Sequence, residues 1–313
     1  MRRAMPEEKR YALVTAAYNE ERYVEELLRS VTAQTLLPLR WVIVSDGSTD
    51  RTEAIVRQYA SQFDFIELFR IDDDHPRNFA AQVHAINAGL ARLKGLDFDF
   101  IANADADVSF DPTYFSDLLR VCATEPKLGL AGGSVFERQD GEFKPRPDNR
   151  ELSVAHATQC FRRECFESLG ECYLALPYGG ADTYAEIRSR MNGWRVRSIA
   201  ELRVFHHRPM GGASGWARGT FRQGRMDHSL GIHPIFEIGR LMLRVMARPF
   251  VLYAGMRLAG FCFSYCRADK RMVSREFIRF LRDEETERVL QLLRQRVLFA
   301  RISAASGDPD LQS

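Results

Sequence analysis

The chain has 313 residues, 45% of them hydrophobic and 27% charged, with a net charge of +2. That length buries a sizeable core, the composition is that of an ordinary globular chain, and the near-neutral balance gives no sign of a nucleic-acid partner. Six cysteines without a paired C-x-x-C exclude a disulfide scaffold and fit a reducing compartment.

The first apolar run, in "MRRAMPEEKRYALVTAAYNEE", is too short for an export signal. Tyr11 to Ala16 reads as a buried strand, and Glu21 to Gln34 as a helix with Tyr23, Val24, Leu27, Leu28 and Val31 at helical spacing. Arg40 to Ser45 is a second strand; Asp50 is placed to cap the next helix and Glu53 to complete a capping box. "FIELFRI" reads as a strand, "FAAQVHAINAGLARLKG" as a helix stopped by Gly95, and "FDFIA" as a fourth strand. This alternation predicts a Rossmann-like, mainly parallel sheet with helices on both faces. Leu128 to Val135 is a further strand, after which "FERQDGEFKPRPDNR" reads as a polar loop. "YGGADTYAEIRSRMNGW" is a glycine turn, Asp182 as helix N-cap, and a helix ending at Gly193; "RVRSI" is a strand, closed by "FHHRPMGG".

In such a sheet ligands bind at the carboxyl ends of the strands. Tyr18, Asn19 and Glu20 follow the first strand, Asp46 the second, and Asp105 and Asp107 the fourth, all expected to face one crevice. Carboxylates are costly inside a strand, so Asp105 and Asp107 belong where it emerges. There they can grip a divalent cation from one side and leave its other positions to phosphate oxygens, an arrangement suited to Mg²⁺ or Mn²⁺. As a lone motif, D-x-D is also a common turn. The sequence has no G-x-G-x-x-G after the first strand and no G-x-x-x-x-G-K-[ST], which disfavours a dehydrogenase or a P-loop NTPase. In their place stand Tyr18, able to stack on a base, and Asp46, able to accept from a base N–H.

Together "VTAAYNEERYVEELLRSVTAQT", "WVIVSDGSTDRT", "INAGL", "FIANADADVSFDPTYF", "FRRECFESLG" and "YGGADTYAEIRSRMNGWRV", in this order and over roughly residues 10 to 210, resemble the family 2 glycosyltransferases of GT-A fold. The resemblance implies inverting transfer of a sugar from a nucleoside diphosphate donor, assisted by Mg²⁺ or Mn²⁺, as in enzymes of bacterial surface polysaccharides and exopolysaccharides. It implies donor contacts at Ala16, Tyr18, Glu20, Asp46, Asp105, Ala106 and Asp107, metal ligation by Asp107 with Asp105, and Asp182 as general base. His206 or His207 falls where many members place a histidine near metal and diphosphate. Two departures stand out: Ala16 replaces the common Pro before Tyr-Asn-Glu, and Ala181 replaces the Glu usually beside the catalytic Asp. Trp216 and Arg218 to Arg225 match the donor-gating segment of processive relatives only loosely. Without a full Q-x-x-R-W signature, addition of one sugar is expected, with these arginines available to clamp pyrophosphate.

These readings divide the chain into a tail (1–9), a GT-A domain (10–234, with a nucleotide-binding half 10–127 and an acceptor half 128–234), a helical basic extension (235–302) and a tail (303–313). From Leu202 to Arg275, thirteen Lys or Arg stand against three Asp or Glu, a local balance of +10. The stretch Pro249 to Cys266, apolar except for Arg257, is short for a membrane span. The extension reads as helices lying on a membrane surface with arginines toward anionic head groups, or as a helical subdomain packed on the sheet or a second subunit. The first reading, with the family resemblance, implies a sugar or polyprenyl-linked acceptor and a cytoplasmic location at the inner face of the cell membrane. Two other functions fit part of the pattern: a sugar nucleotidyltransferase, whose Gly-rich basic loop is missing after the first strand, and a non-catalytic nucleotide-sugar or membrane-binding relative, hinted at by Ala181.

Overall fold

The computed structural model describes residues 9–72, 78–139, 141–146, 149, 151–208, 215–245 and 251–306. They form two compact units, divided between Gly219 and Thr220.

In the first unit the elements alternate as the hydrophobic periods predict: β1 (Tyr11–Ala17), α1 (Val24–Thr32), β2 (Arg40–Asp46), α2 (Thr52–Ala60), β3 (Ile66–Ile71), α3 (Phe79–Arg92) and β4 (Phe100–Asn103). Then come β5 (Val108–Phe110), α4 (Tyr114–Thr124), β6 (Leu128–Gln139), β7 (Glu142–Pro145), a 3₁₀ turn at His156–Thr158, β8 (Cys160–Arg162), α5 (Arg163–Leu169), α6 (Ala181–Met191) and β9 (Arg195–His206). The described strands make one nine-stranded sheet in the order β3-β2-β1-β4-β8-β6-β9-β5, with β7 paired to β6. The β1/β2, β2/β3, β1/β4 and β6/β9 pairs are parallel, whereas β8 runs antiparallel between β4 and β6, and β5 runs antiparallel to β9.

Side chains that alternate along β1 feed two cores. Tyr11 and Leu13 join Leu27, Leu28, Trp41, Val56 and Phe115 on the face covered by α1, α2 and α4. Ala12 and Val14 join Val83, Ile86, Cys165 and Ala185 on the face covered by α3, α5 and α6. Both faces of β1 and β2 are buried, which is why these strands read as continuous apolar runs. The indole N–H of the fully buried Trp41 donates to Thr15 Oγ1 at 3.1 Å, so this ring brings no unpaired donor into the core. Gly89 lets α3 lie close on the sheet, since a Cβ there would stand 2.7 Å from Val14 and 2.8 Å from Val44. That close approach brings the first turn of α3 over the ends of β1 and β2.

Four expectations need correction. The segment 136–150 is not a plain polar loop: β6 runs on to Gln139 and pairs with β7, where Phe143 and Phe205 meet at 5.0 Å and give a polar run an apolar anchor. "RVRSI" is only the start of a twelve-residue strand that continues to His206. Asp50 does bond the Thr52 N–H at 2.9 Å, but Glu53 closes no capping box: its carboxylate turns inward to Ser45, Arg57 and Arg70. Gly180, at φ 95°, caps α6 in place of Asp182, which sits inside the first turn.

The second unit contains α8 (Pro234–Val245), α9 (Val251–Cys266), α10 (Arg275–Ser306) and most of α7 (Trp216–Leu230). Residues 303–306, read as tail, are helical, and 307–313 lie outside the described residues. Gly224 and Gly260 bring α7 and α9 into backbone contact: a Cβ at Gly224 would meet Arg257 O at 1.9 Å, and one at Gly260 would meet Phe221 O at 1.9 Å. The arginines here do not all face outward as the membrane reading requires. Arg257 is buried, with Nε 2.7 Å from Asp227 and 3.5 Å from Glu237, and Arg225 binds Asp269 at 2.9 Å. Their charge is spent on internal pairs, because a buried guanidinium without a carboxylate would carry a full desolvation cost. No helix among the described residues is long and apolar enough to cross a membrane.

Candidate functional site

The ends of β1, β2 and β4 open on one cavity of about 550 Å³. Its described wall includes Ala16, Tyr18, Glu20, Asp46, Asp105, Ala106 and Asp107, so every donor-contact residue expected from the sequence lies there, together with Gln82 and Phe79 from α3 and with Arg208. Tyr18 is 43% exposed at the rim, and Asp46 is 4% exposed inside.

Local hydrogen bonds explain why "YNEE" and "DGSTD" hold this shape. Asn19 adopts φ 53°, a left-handed conformation that asparagine tolerates, and its Oδ1 accepts the Thr49 N–H at 2.8 Å. Glu20 N donates to Thr52 Oγ1 at 2.7 Å, and Glu21 N donates to Asp50 at 3.1 Å. The loops after β1 and β2 are thus bonded to each other, and the Glu20 carboxylate is fixed on the cavity wall.

Asp105 and Asp107 lie between β4 and β5, where the sequence placed them, and they meet different partners. Asp105 Oδ1 accepts from Gln82 Nε2 at 3.0 Å and lies 3.2 Å from His156 Nδ1. Burial pushes this carboxyl up, but the charge and hydrogen bond of His156 outweigh it and hold Asp105 below the usual range. Asp107 Oδ2 accepts Arg208 Nε at 2.8 Å, and the same guanidinium binds Glu20. Burial raises Glu20 to about 7, with Arg208 pulling down and Asp107 pushing up.

The β5/β9 register, Val108 opposite His206, separates the two histidines. His206 Nε2 is 3.5 Å from Asp107 Oδ1. His207 turns away: its Nε2 is 2.8 Å from Ser109 Oγ, and its ring meets Phe143 at 5.4 Å. Among the described residues no group of three or more His, Cys, Asp or Glu is arranged to hold a metal ion. The donor chemistry that does fit one is Asp107 with His206, an oxygen and a nitrogen ligand on one side, open to completion by phosphate oxygens.

Asp182 anchors one oxygen on the Thr183 N–H at 2.8 Å. It is not on the cavity wall described above; against burial, the charge and hydrogen bond of Asp105 raise His156, with a smaller push from the Asp182 charge, and burial raises Tyr173 with Asp182 again a smaller contributor. One turn along α6, Glu186 is 5% exposed and accepts from Ser153 Oγ at 2.9 Å and from Val154 N at 2.8 Å. It therefore fixes the segment that delivers His156. Burial, and then the Asp182 charge, push Glu186 up to about 7 from an ordinary 4.5. Below about pH 4.5 the acid is neutral whether the chain is folded or unfolded. Between 4.5 and 7 only the unfolded chain ionises, so stability falls as pH rises, by on the order of 3 kcal/mol, and levels off above the folded value. Glu186→Gln is expected to lessen the slope by that contribution and to leave the one that Glu20, also raised to about 7, gives both proteins. Urea denaturation of both proteins across this range measures it, and parallel curves would refute the assignment.

Sequence reasoning missed Gln82, His156, Tyr173, Glu186 and Arg208. Only Arg208 had a signal, since it directly follows the two histidines. Of the arginines expected as a clamp, Arg225 is paired with Asp269, and Arg208 is the one basic side chain on the described cavity wall.

Residues 12–177 match the family described as glycosyl transferase family 2. EpsH of Bacillus subtilis is 30% identical over 122 residues, which are 37% of this chain and 31% of that protein. The O-antigen biosynthesis protein RfbC of Myxococcus xanthus is 28% identical over 211 residues, 58% of this chain and 16% of that protein. The chain thus spans a third or less of the length of these two relatives. The mannosyltransferase PcManGT of Pyrobaculum calidifontis, solved with GDP-Man and Mn²⁺, superposes with a TM-score of 0.54 at 16% identity, covering 92% of this chain and 81% of that one. At that identity the likeness is one of fold: the GT-A sheet. The matched segment starts in β1, takes in every cavity-wall carboxylate, and covers just over half of the chain, which therefore belongs to glycosyltransferase family 2.

Proposed function

We propose that the protein is an inverting, metal-dependent glycosyltransferase that moves one sugar from a nucleoside diphosphate sugar to a hydroxyl of a lipid-linked or polysaccharide-precursor acceptor. The observation that carries this reading is the convergence of Tyr18 and four strand-end carboxylates, Glu20, Asp46, Asp105 and Asp107, on one cavity. Tyr18 at the rim suits a base, and Asp46 can accept from its N–H; uridine is the default implied by the family. Asp107 and His206 would hold Mg²⁺ or Mn²⁺, which when bound offsets charge on the leaving diphosphate.

Asp182 takes the proton of the acceptor hydroxyl as that oxygen attacks the anomeric carbon. The bond from this carbon to the diphosphate oxygen breaks in the same step, and the nucleoside diphosphate leaves with the bonding pair. One base and one displacement invert the centre without a covalent intermediate.

The second unit suits peripheral contact with a membrane surface through exposed apolar side chains such as Ile235, Leu252 (70% exposed) and Tyr265, while the internal pairing of Arg225 and Arg257 counts against an arginine-led contact. Failure of the full chain to sediment with anionic vesicles would remove this part, and with it the proposed place at the inner face of the cell membrane.

The donor reading is tested by thermal stabilisation with UDP, TDP and GDP and their sugars, each with and without Mn²⁺. A donor nucleotide at a hundredfold excess over its Kd adds about 2.7 kcal/mol to the folded state. One base is expected to dominate and to need the metal. A flat response across the panel would refute the reading.

A further inference from the structure

Four carboxylates face the cavity, and a diphosphate brings several more negative charges into it. On the described wall the one basic side chain is Arg208, and it is already engaged. Its Nε lies 2.8 Å from Asp107 Oδ2, its Nη2 binds Glu20 Oε2, and the Tyr23 ring lies beneath it at 5.3 Å. The carboxylates are 14% and 11% exposed, whereas Arg208 is 41% exposed. The anions are fixed by their loops, Glu20 through the bond of its N–H to Thr52 and Asp107 through the strand that follows it; the cation is on the open side.

A guanidinium fork bonds carboxylate and phosphate with equal geometric ease. While it grips Asp107 it also satisfies an oxygen that a divalent ion would need, so the two cations compete for one ligand. Resting on the donor reading above, we propose that Arg208 is a resident counter-ion of the site: it neutralises Glu20 and Asp107 in the absence of donor, then passes its fork to the donor diphosphate and releases Asp107 to the metal. Metal and nucleotide then bind cooperatively. The coupling is reciprocal, because each ligand pays part of the other's cost of displacing the same guanidinium.

The test is calorimetric titration of the full-length protein with Mn²⁺ alone, with UDP, TDP or GDP alone, and with each in the presence of the other. It uses wild type, Arg208→Gln and Arg208→Lys. In wild type each ligand is expected to tighten the other about tenfold, within the roughly 5- to 150-fold range usual for such coupling. Arg208→Gln is expected to bind Mn²⁺ alone about tenfold more tightly, to bind nucleotide more weakly, and to keep only the part of the coupling that direct contact between the metal and the phosphate oxygens supplies. Arg208→Lys keeps the charge without the fork and is expected to fall between them. Unchanged Mn²⁺ affinity in Arg208→Gln, with coupling and nucleotide affinity intact, would make Arg208 a structural clamp and overturn the proposal alone. Nucleotide binding absent from all three proteins would overturn the donor reading, and the proposal with it.

Discussion

Asp182→Asn is expected to leave nucleotide binding within twofold or so of wild type and to lower the rate of transfer by about 10²- to 10⁴-fold. The carboxamide keeps the size of the side chain and the oxygen that accepts the Thr183 N–H, so the first turn of α6 is preserved. Because Gly180 and not Asp182 forms the cap, the helix loses only the first-turn charge, about 0.3–1 kcal/mol, and a large loss of activity reads as chemistry. What disappears is the group that takes the proton of an otherwise weak nucleophile. Single-turnover transfer to an added acceptor, beside nucleotide affinity by titration, separates the two effects. A variant that turns over at the wild-type rate would refute the base assignment, as would one that loses rate and nucleotide affinity together.

The elements that the sequence yields most directly are those with a strong period. β1 and β2 are continuous apolar runs because helices cover both faces, and α1 places Val24, Leu27, Leu28 and Val31 on one buried stripe. The strand-end residues were legible for the same reason: once a strand is located, the polar residues that follow it mark the carboxyl edge of the sheet. What stayed hidden depends on tertiary pairing. The β7 segment, "EFKP", has no strand period of its own and is held by pairing with β6 and by Phe143 against Phe205. Alternation along one strand cannot say which of His206 and His207 faces Asp107; the antiparallel partner β5 decides it. The sequence left Arg257 as a lone charge in an apolar stretch because its partner Asp227 is thirty positions earlier, beyond the reach of any helical spacing. His156 and Arg208 meet Asp105 and Asp107 across 51 and 101 residues, and only the fold brings them there.

Asp107→Ala is expected to abolish the part of nucleotide stabilisation that depends on Mn²⁺ while leaving the ligand-free protein close to wild type. Asp107 stands in a loop rather than in a strand, and its loss leaves Arg208, 41% exposed, still paired with Glu20. Loss of one ion pair at that exposure costs little, on the order of 1 kcal/mol or less. The functional loss is larger because Asp107 is the carboxylate with an oxygen 3.5 Å from His206, whereas Asp105 is bonded to Gln82 and His156. In wild type the metal and nucleotide together should add about 2.7 kcal/mol at a hundredfold excess over Kd, a rise of several degrees in melting temperature for a chain of this size. In the variant, melting curves with and without Mn²⁺ should coincide at every nucleotide concentration. Metal-dependent stabilisation retained in Asp107→Ala and lost in Asp105→Ala would move the ion to the first aspartate, beside His156. Retention in both single variants would place it on neither, and D-x-D would be only the turn that joins β4 to β5.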